Sequence, residues 1–213
     1  MEILMPVFSK NDKSILFIHI PKAAGSSIGR IGRDTGWDES FSIRGKAFKD
    51  VSYCKATFQH LHAEVLRVLF NFDAFDSIFM VVRHPYSRFK SEYYWQRSQG
   101  ITNLRVDKWV SETFDKYSDN PYIYDNHIRP QVEFVPDCEN VKVFKLEEGG
   151  VRQAQEIFLR LSLDISKYDF WKNRLRSKIA RGRHVKRAVR DPDVESEFQN
   201  HYQKIVDFYK ADF

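Results

Sequence analysis

The sequence predicts an α/β fold in which a mainly parallel sheet carries helices on both faces. Three apolar segments predict it: SILFIHI at 14–20, SIFMVV at 77–82 and VKVFKL at 141–146. The first two are near-continuous runs, the pattern of strands buried on both faces. Between the three lie segments of helical spacing. Strands alternating with helices give parallel pairing through crossover connections. Ligands in such folds sit beyond the carboxyl ends of the strands, which directs attention to residues 21–27 and 83–91.

Taken in order, residues 25–33 follow a tight turn and should open a helix. Residues 36–55 read as irregular. In 63–70 (AEVLRVLF) the apolar positions Val65, Leu66, Leu69 and Phe70 recur at helical spacing. Pro85 stops the 77–82 strand and suits the first turn of a helix over 86–97. Helices are also expected over 105–117, 151–161 and 194–209. The stretch 177–190 (SKIARGRHVKRAVR) is strongly basic.

Bulk properties fit this reading. A chain of 213 residues suits one domain spanning 1–213. With 42% hydrophobic and 15% aromatic residues it can bury a core, which excludes an intrinsically disordered chain. A net charge of +5 fits either an ordinary soluble surface or an anionic ligand. Cys54 and Cys138 match no metal spacing and read as free thiols. No apolar run approaches the roughly 20 residues that span a bilayer, and the amino-terminal stretch is too interrupted for a secretory leader. The expectation is a cytoplasmic, bacterial protein. The resemblance set out below adds one alternative, a Golgi-lumenal protein without its anchor. Oligomeric state stays open.

The 14–20 strand runs into PKAAGSS. A strand, a turn of small residues and a helix start make an anion site, because backbone N–H groups and the helix dipole converge there. Ala23, Ala24 and Gly25 allow close approach, Ser26 and Ser27 can cap the helix or donate to an anion, and Lys22 adds charge. The turn is not the nucleotide loop G-x-x-x-x-G-K-[ST], since Lys22 precedes Gly25 and Ser26. A plain βα turn with a surface lysine is the alternative. In VVRHPYSRFKS, Arg83 ends a strand and Ser91 follows about two helical turns on, a pair able to grip a phosphate; taken alone, an arginine paired with a neighbouring acid and an incidental helix serine is the better reading.

Together FIHIPKAAGSS and VVRHPYSRFKS resemble the sulfotransferases that use 3′-phosphoadenosine 5′-phosphosulfate (PAPS), most closely the carbohydrate-type branch (sulfotransferase family 2-like). The segment HIRPQVEF at 127–134 is similar to an H-x-R-P-Q stretch of that branch. The resemblance covers residues 15–148 and is loose beyond. It implies a P-loop-like three-layer sandwich and PAPS as sulfuryl donor, with no metal. Lys22 would meet the charge on the leaving oxygen, and Ala23–Ser27 would hold the phosphosulfate. Arg83 and Ser91 would grip the 3′-phosphate, and Arg181 or Arg183 could close over it. The acceptor would be a hydroxyl of a carbohydrate or glycoconjugate.

A base should activate that hydroxyl. His60 is the first candidate, His62 the second and Glu64 a distant third, all in TFQHLHAEV. Either histidine could instead cap or pack the following helix. His19 reads as a support for the loop. Arg129 and Gln131 are expected to face the donor or acceptor cleft. The basic run 177–190 lacks interleaved aromatics, so nucleic acid is not expected. Two other classes compete: a P-loop nucleotide kinase, which wants a Walker lysine and a metal-binding carboxylate, and a non-catalytic domain that binds nucleotide or anionic glycan.

Overall fold

The computed structural model describes residues 7–40, 53–162 and 191–212. Five strands form one sheet: β1 (Val7–Lys10), β2 (Lys13–Ile18), β3 (Asp38–Ser40), β4 (Ser77–Val82) and β5 (Val141–Lys145), in the order β3-β1-β2-β4-β5. The strands β2, β4 and β5 run parallel, with Phe17 beside Phe79 and Met80 beside Val143. The strands β1 and β3 add an antiparallel edge. Neither was expected. The strand β1 is four residues long, and it folds back on β2 through a hairpin whose Asn11 is left-handed (φ 52°), a conformation asparagine tolerates.

The helices among the described residues are α1 (Gly25–Asp34), α2 (Ala63–Leu69), α3 (Pro85–Ser98), α4 (Val106–Asp119), the single turn α5 (Ile123–Asn126), α6 (Gly150–Ser162), α7 (Pro192–Asn200) and α8 (Tyr202–Phe208). The single helix expected over 194–209 is two, broken at His201.

Alternation along the central strands creates the three layers. Ile15, Phe17, Phe79 and Val81 face one side and pack with Ile28 of α1 and Ala154 and Phe158 of α6. Leu16, Ile18, Ile78 and Met80 face the other and pack with Leu66 of α2 and Phe134. Each large side chain buried this way contributes about 1.5–3 kcal/mol. Gly32 lets α1 lie close to the sheet, since a Cβ there would sit 2.5 Å from the Phe8 ring. A third cluster, built on Phe89, Tyr93, Trp109, Phe198 and Tyr209, joins α3, α4, α7 and α8. It fixes the orientation of α3, the helix that carries Arg88, Ser91, Glu92 and Trp95. No helix among the described residues is long and apolar enough to cross a membrane.

Candidate active site

A cavity of about 830 Å³ opens at the carboxyl ends of β2 and β4. That volume suits a drug-sized or nucleotide-sized ligand. Its walls bring together Lys22, Ala24, Gly25, Ser26, His60, Arg83 and Ser91, which lie up to 69 positions apart in the chain.

The loop after β2 is shaped for close approach. Lys22 and Ala24 adopt left-handed backbone (φ 64° and 72°), a costly conformation for residues with a Cβ and one that concentrates at functional sites. The turn closes with Ala23 N–H donating to the Ile20 carbonyl at 3.3 Å and Ser27 N–H to Ala24 at 2.9 Å. No side chain caps α1, so its amino-terminal end meets the cavity through Ala24, Gly25 and Ser26. Gly25 is required for a second reason: a Cβ there would lie 1.7 Å from His19 Nε2. His19 stands just past the end of β2 with its ring against this glycine and stacked on Phe17, so it supports the loop and also lines the cavity.

Lys22 places Nζ 4.8 Å from the centre of the Trp95 ring. Burial lowers its pKa from the ordinary lysine value, the buried carboxylate of Glu92 opposes that shift, and Arg83 adds to it. Arg83 donates from Nη1 to the Lys22 carbonyl at 3.2 Å, which joins the loop after β2 to the end of β4. Ser91, two turns into α3, lies on the same wall.

His60 lines the same cavity, with its ring centre 4.7 Å from that of His19. Its Nδ1 lies 2.7 Å from Asp125 Oδ2, and Asp125 also accepts from Thr57 N–H at 2.5 Å and Thr57 Oγ1 at 2.7 Å. The carboxylate can reach all three donors because Tyr124, Asp125 and Asn126 are all left-handed (φ 51°, 60° and 62°). Asn126 secures the same junction by donating to the His60 carbonyl at 2.8 Å. Asp125 is held far below the usual carboxylate range, because the attraction of His60 and these donors outweighs burial. Burial keeps His60 below the ordinary imidazole value, and Asp125 opposes that shift. An ionised carboxylate only accepts, so Nδ1 carries the proton and the neutral ring keeps its lone pair on Nε2.

His62 is placed elsewhere. It packs on Tyr122, with ring centres 5.6 Å apart, and approaches the exposed Glu64 at 3.8 Å, and neither residue lines the cavity. His60 closes a 3-10 turn (Phe58–His60) and His62 stands at the start of α2, so the two rings point to different places and only His60 lines the cavity.

Arg129 and Gln131 do not line the cavity, contrary to expectation. The Arg129 guanidinium bonds Asn126 Oδ1 at 3.0 Å and pairs with Glu133, behind the wall. Gln131 clamps the backbone of Arg83, accepting from its N–H at 2.9 Å and donating to its carbonyl at 2.8 Å. Gln131 thus holds a cavity residue in place, and Arg129 holds Asn126, the residue next to Asp125, rather than facing the cleft. Arg181 and Arg183 lie outside the described residues.

Several cavity residues carried no sequence signal that singled them out: Gln59, Trp95, Gln96, Tyr124 and Asp125. His127 opens HIRPQVEF and Asp125 lies two residues before it, so that segment marked the region without resolving their roles. His60, Asp125 and His127 bring possible ligand atoms within 4.8 Å of one another. Nδ1 of each ring is already committed to a carboxylate, at 2.7 and 2.6 Å, so the group is built as two hydrogen-bonded imidazoles.

No curated protein and no solved structure matches the chain. A model of the sulfotransferase family matches residues 5–213, nearly the whole length, so it spans the loop of Lys22, the arginine strand and the His60 wall alike. The chain belongs to the sulfotransferase family.

Proposed function

We propose that this protein is a PAPS-dependent sulfotransferase acting on a hydroxyl of a carbohydrate or glycoconjugate, with His60 as the base. The observation that carries the reading is the convergence, in one cavity, of the uncapped α1 loop with Lys22, the Arg83–Ser91 pair and the His60–Asp125 pair.

The residues fit the donor. The left-handed loop at Gly25 leaves room for a phosphosulfate against backbone N–H groups, and Ser26 adds a hydroxyl at the cavity wall. Arg83 and Ser91, which line the same cavity, supply donors suited to a 3′-phosphate. Bound PAPS supplies a sulfuryl group activated by attachment to a phosphate leaving group. Lys22 and the α1 amino terminus place positive charge where negative charge develops on departure. His60 takes the acceptor proton at Nε2, and Asp125 holds the ring by Nδ1 and stabilises the imidazolium as it forms. Such a base is worth about 10²–10⁴-fold. The family match favours sulfuryl over phosphoryl transfer.

The test is transfer of labelled sulfuryl from PAPS to a panel of unsulfated polysaccharides and p-nitrophenyl pyranosides, by wild type and by His60→Ala. The expected result is labelling of at least one acceptor, with a loss of about 10²-fold or more in the variant. Equal labelling by both proteins would remove His60 from the mechanism, and transfer from ATP in place of PAPS would remove the donor.

A further inference from the structure

The cavity contains a second histidine–carboxylate pair that the proposed chemistry leaves unused. His127 Nδ1 lies 2.6 Å from Glu92 Oε2. Glu92 is fully buried, and its other oxygen accepts from Gln96 Nε2 at 2.8 Å. Gln96 in turn accepts from Trp109 Nε1 at 3.0 Å, deep in the core formed by α3 and α4. The backbone of His127 is fixed as firmly, because its carbonyl accepts from the buried Arg88 at 3.0 Å. A residue held at both backbone and side chain has one orientation.

That orientation puts the ring beside the base. The His127 and His60 rings are 4.8 Å apart and nearly perpendicular, and His127 also packs on Trp95 at 5.2 Å. Both histidines line the cavity. Glu92 accepts only, so Nδ1 of His127 is the donor, as in His60, and Nε2 is the ring's remaining polar atom. Nε2 of neither ring bonds to any described residue. The wall therefore presents two adjacent imidazole nitrogens, each fixed by a buried carboxylate.

We propose that His127 is a specificity-determining residue that binds the hydroxyl adjacent to the one His60 deprotonates, so that the cavity selects acceptors carrying two neighbouring hydroxyls. The proposal rests on the sulfotransferase reading and narrows its acceptor class to vicinal diols of a sugar ring. One hydroxyl loses its proton to His60 Nε2 as its oxygen bonds to sulfur. The other keeps its proton and donates to His127 Nε2. Trp95, beside both Lys22 and His127, offers the apolar ring face that a pyranose can cover.

His127→Asn tests this directly. The asparagine amide nitrogen can replace Nδ1 in the bond to Glu92, while Nε2 is deleted. Sulfuryl transfer is measured with p-nitrophenyl pyranosides that carry or lack the hydroxyl next to the sulfated one. Wild type should prefer the diol by about tenfold, the loss of one hydrogen bond. His127→Asn should lose that preference and keep its affinity for adenosine 3′,5′-bisphosphate. Unchanged preference with intact bisphosphate binding overturns this proposal alone, whereas absence of bisphosphate binding by wild type overturns the donor reading and this proposal with it. Nitrogen-15 NMR of the wild-type histidines gives an independent reading. The Nδ1–H tautomer at His127 supports the proposal, and an Nε2–H tautomer overturns it.

Discussion

Replacing Asp125 by asparagine should disable the base without removing it. Three donors converge on the two carboxylate oxygens: Thr57 N–H, the Thr57 hydroxyl and His60 Nδ1. Asparagine keeps the shape but offers one acceptor oxygen and one amide group. The Thr57 N–H cannot reverse its role, while the hydroxyl and the imidazole can. The oxygen will therefore turn to Thr57 N–H and the amide to His60. His60 must then accept at Nδ1 and carry its proton on Nε2, the atom that has to receive the acceptor's proton. The rate should fall by most of the base contribution, about 10²–10⁴-fold, or about 2.7–5.5 kcal/mol in the barrier. Stability should fall by about 1.5–3 kcal/mol, the worth of hydrogen bonds to a charged group. The assay is single-turnover sulfuryl transfer at saturating PAPS, with a thermal melt and bisphosphate binding measured in parallel. Asp125→Asn within threefold of wild type, or a rate loss matched by loss of bisphosphate affinity, would refute this reasoning.

Four further outcomes are expected. Lys22→Ala should slow transfer by about 10²–10³-fold, the effect of deleting one donor to a developing oxyanion, and a single-turnover rate within threefold of wild type would contradict it. His62→Ala should leave the rate within a few-fold of wild type, because that ring packs on Tyr122 outside the cavity; loss comparable to His60→Ala would reverse the assignment of the two histidines. Gly25→Ala should drive His19 off the loop, cost about 1–3 kcal/mol by overpacking and weaken bisphosphate binding, as read by melting temperature and calorimetry. Acid should destabilise the protein through the buried pairs. The depressed value of Asp125 means its contribution is complete above about pH 4 and is lost as pH falls through its folded value; His60, also depressed, likewise favours folding above about pH 6.5 and loses its contribution below. Chemical denaturation between pH 4 and pH 7 should show falling stability toward acid in wild type, with a shallower slope in His60→Gln.

Much of the fold was legible because its central strands are buried on both faces and read as apolar runs. The strand β4 matches the expected 77–82 run residue for residue. The short strands β1 and β3 were hidden because four and three residues with mixed polarity carry no period. The break at His201 was hidden because Val194, Phe198, Ile205 and Tyr209 continue one apolar face across it. At the site, the strand–turn–helix pattern pointed to Lys22 and Gly25, whereas Arg83 and Ser91 stood out only through the family resemblance. His60 ranked ahead of His62 on that resemblance, and of the two only His60 lines the cavity. Asp125 and Glu92 could not be read from the chain, because their roles depend on contacts 65 and 35 residues away. Arg129 and Gln131 sit in a recognisable segment, but Gln131 holds the backbone of Arg83 and Arg129 holds Asn126.

The proposed grip of Arg83 and Ser91 on a 3′-phosphate is tested most directly by ligand binding. Calorimetric binding of adenosine 3′,5′-bisphosphate should be compared with that of ATP and adenosine 5′-phosphate, in wild type and in Arg83→Ala. Selective binding of the bisphosphate, weakened at least tenfold by the substitution, is the predicted result. Binding of ATP as tight as the bisphosphate, or unchanged by Arg83→Ala, would contradict the claim that this cavity is built for PAPS.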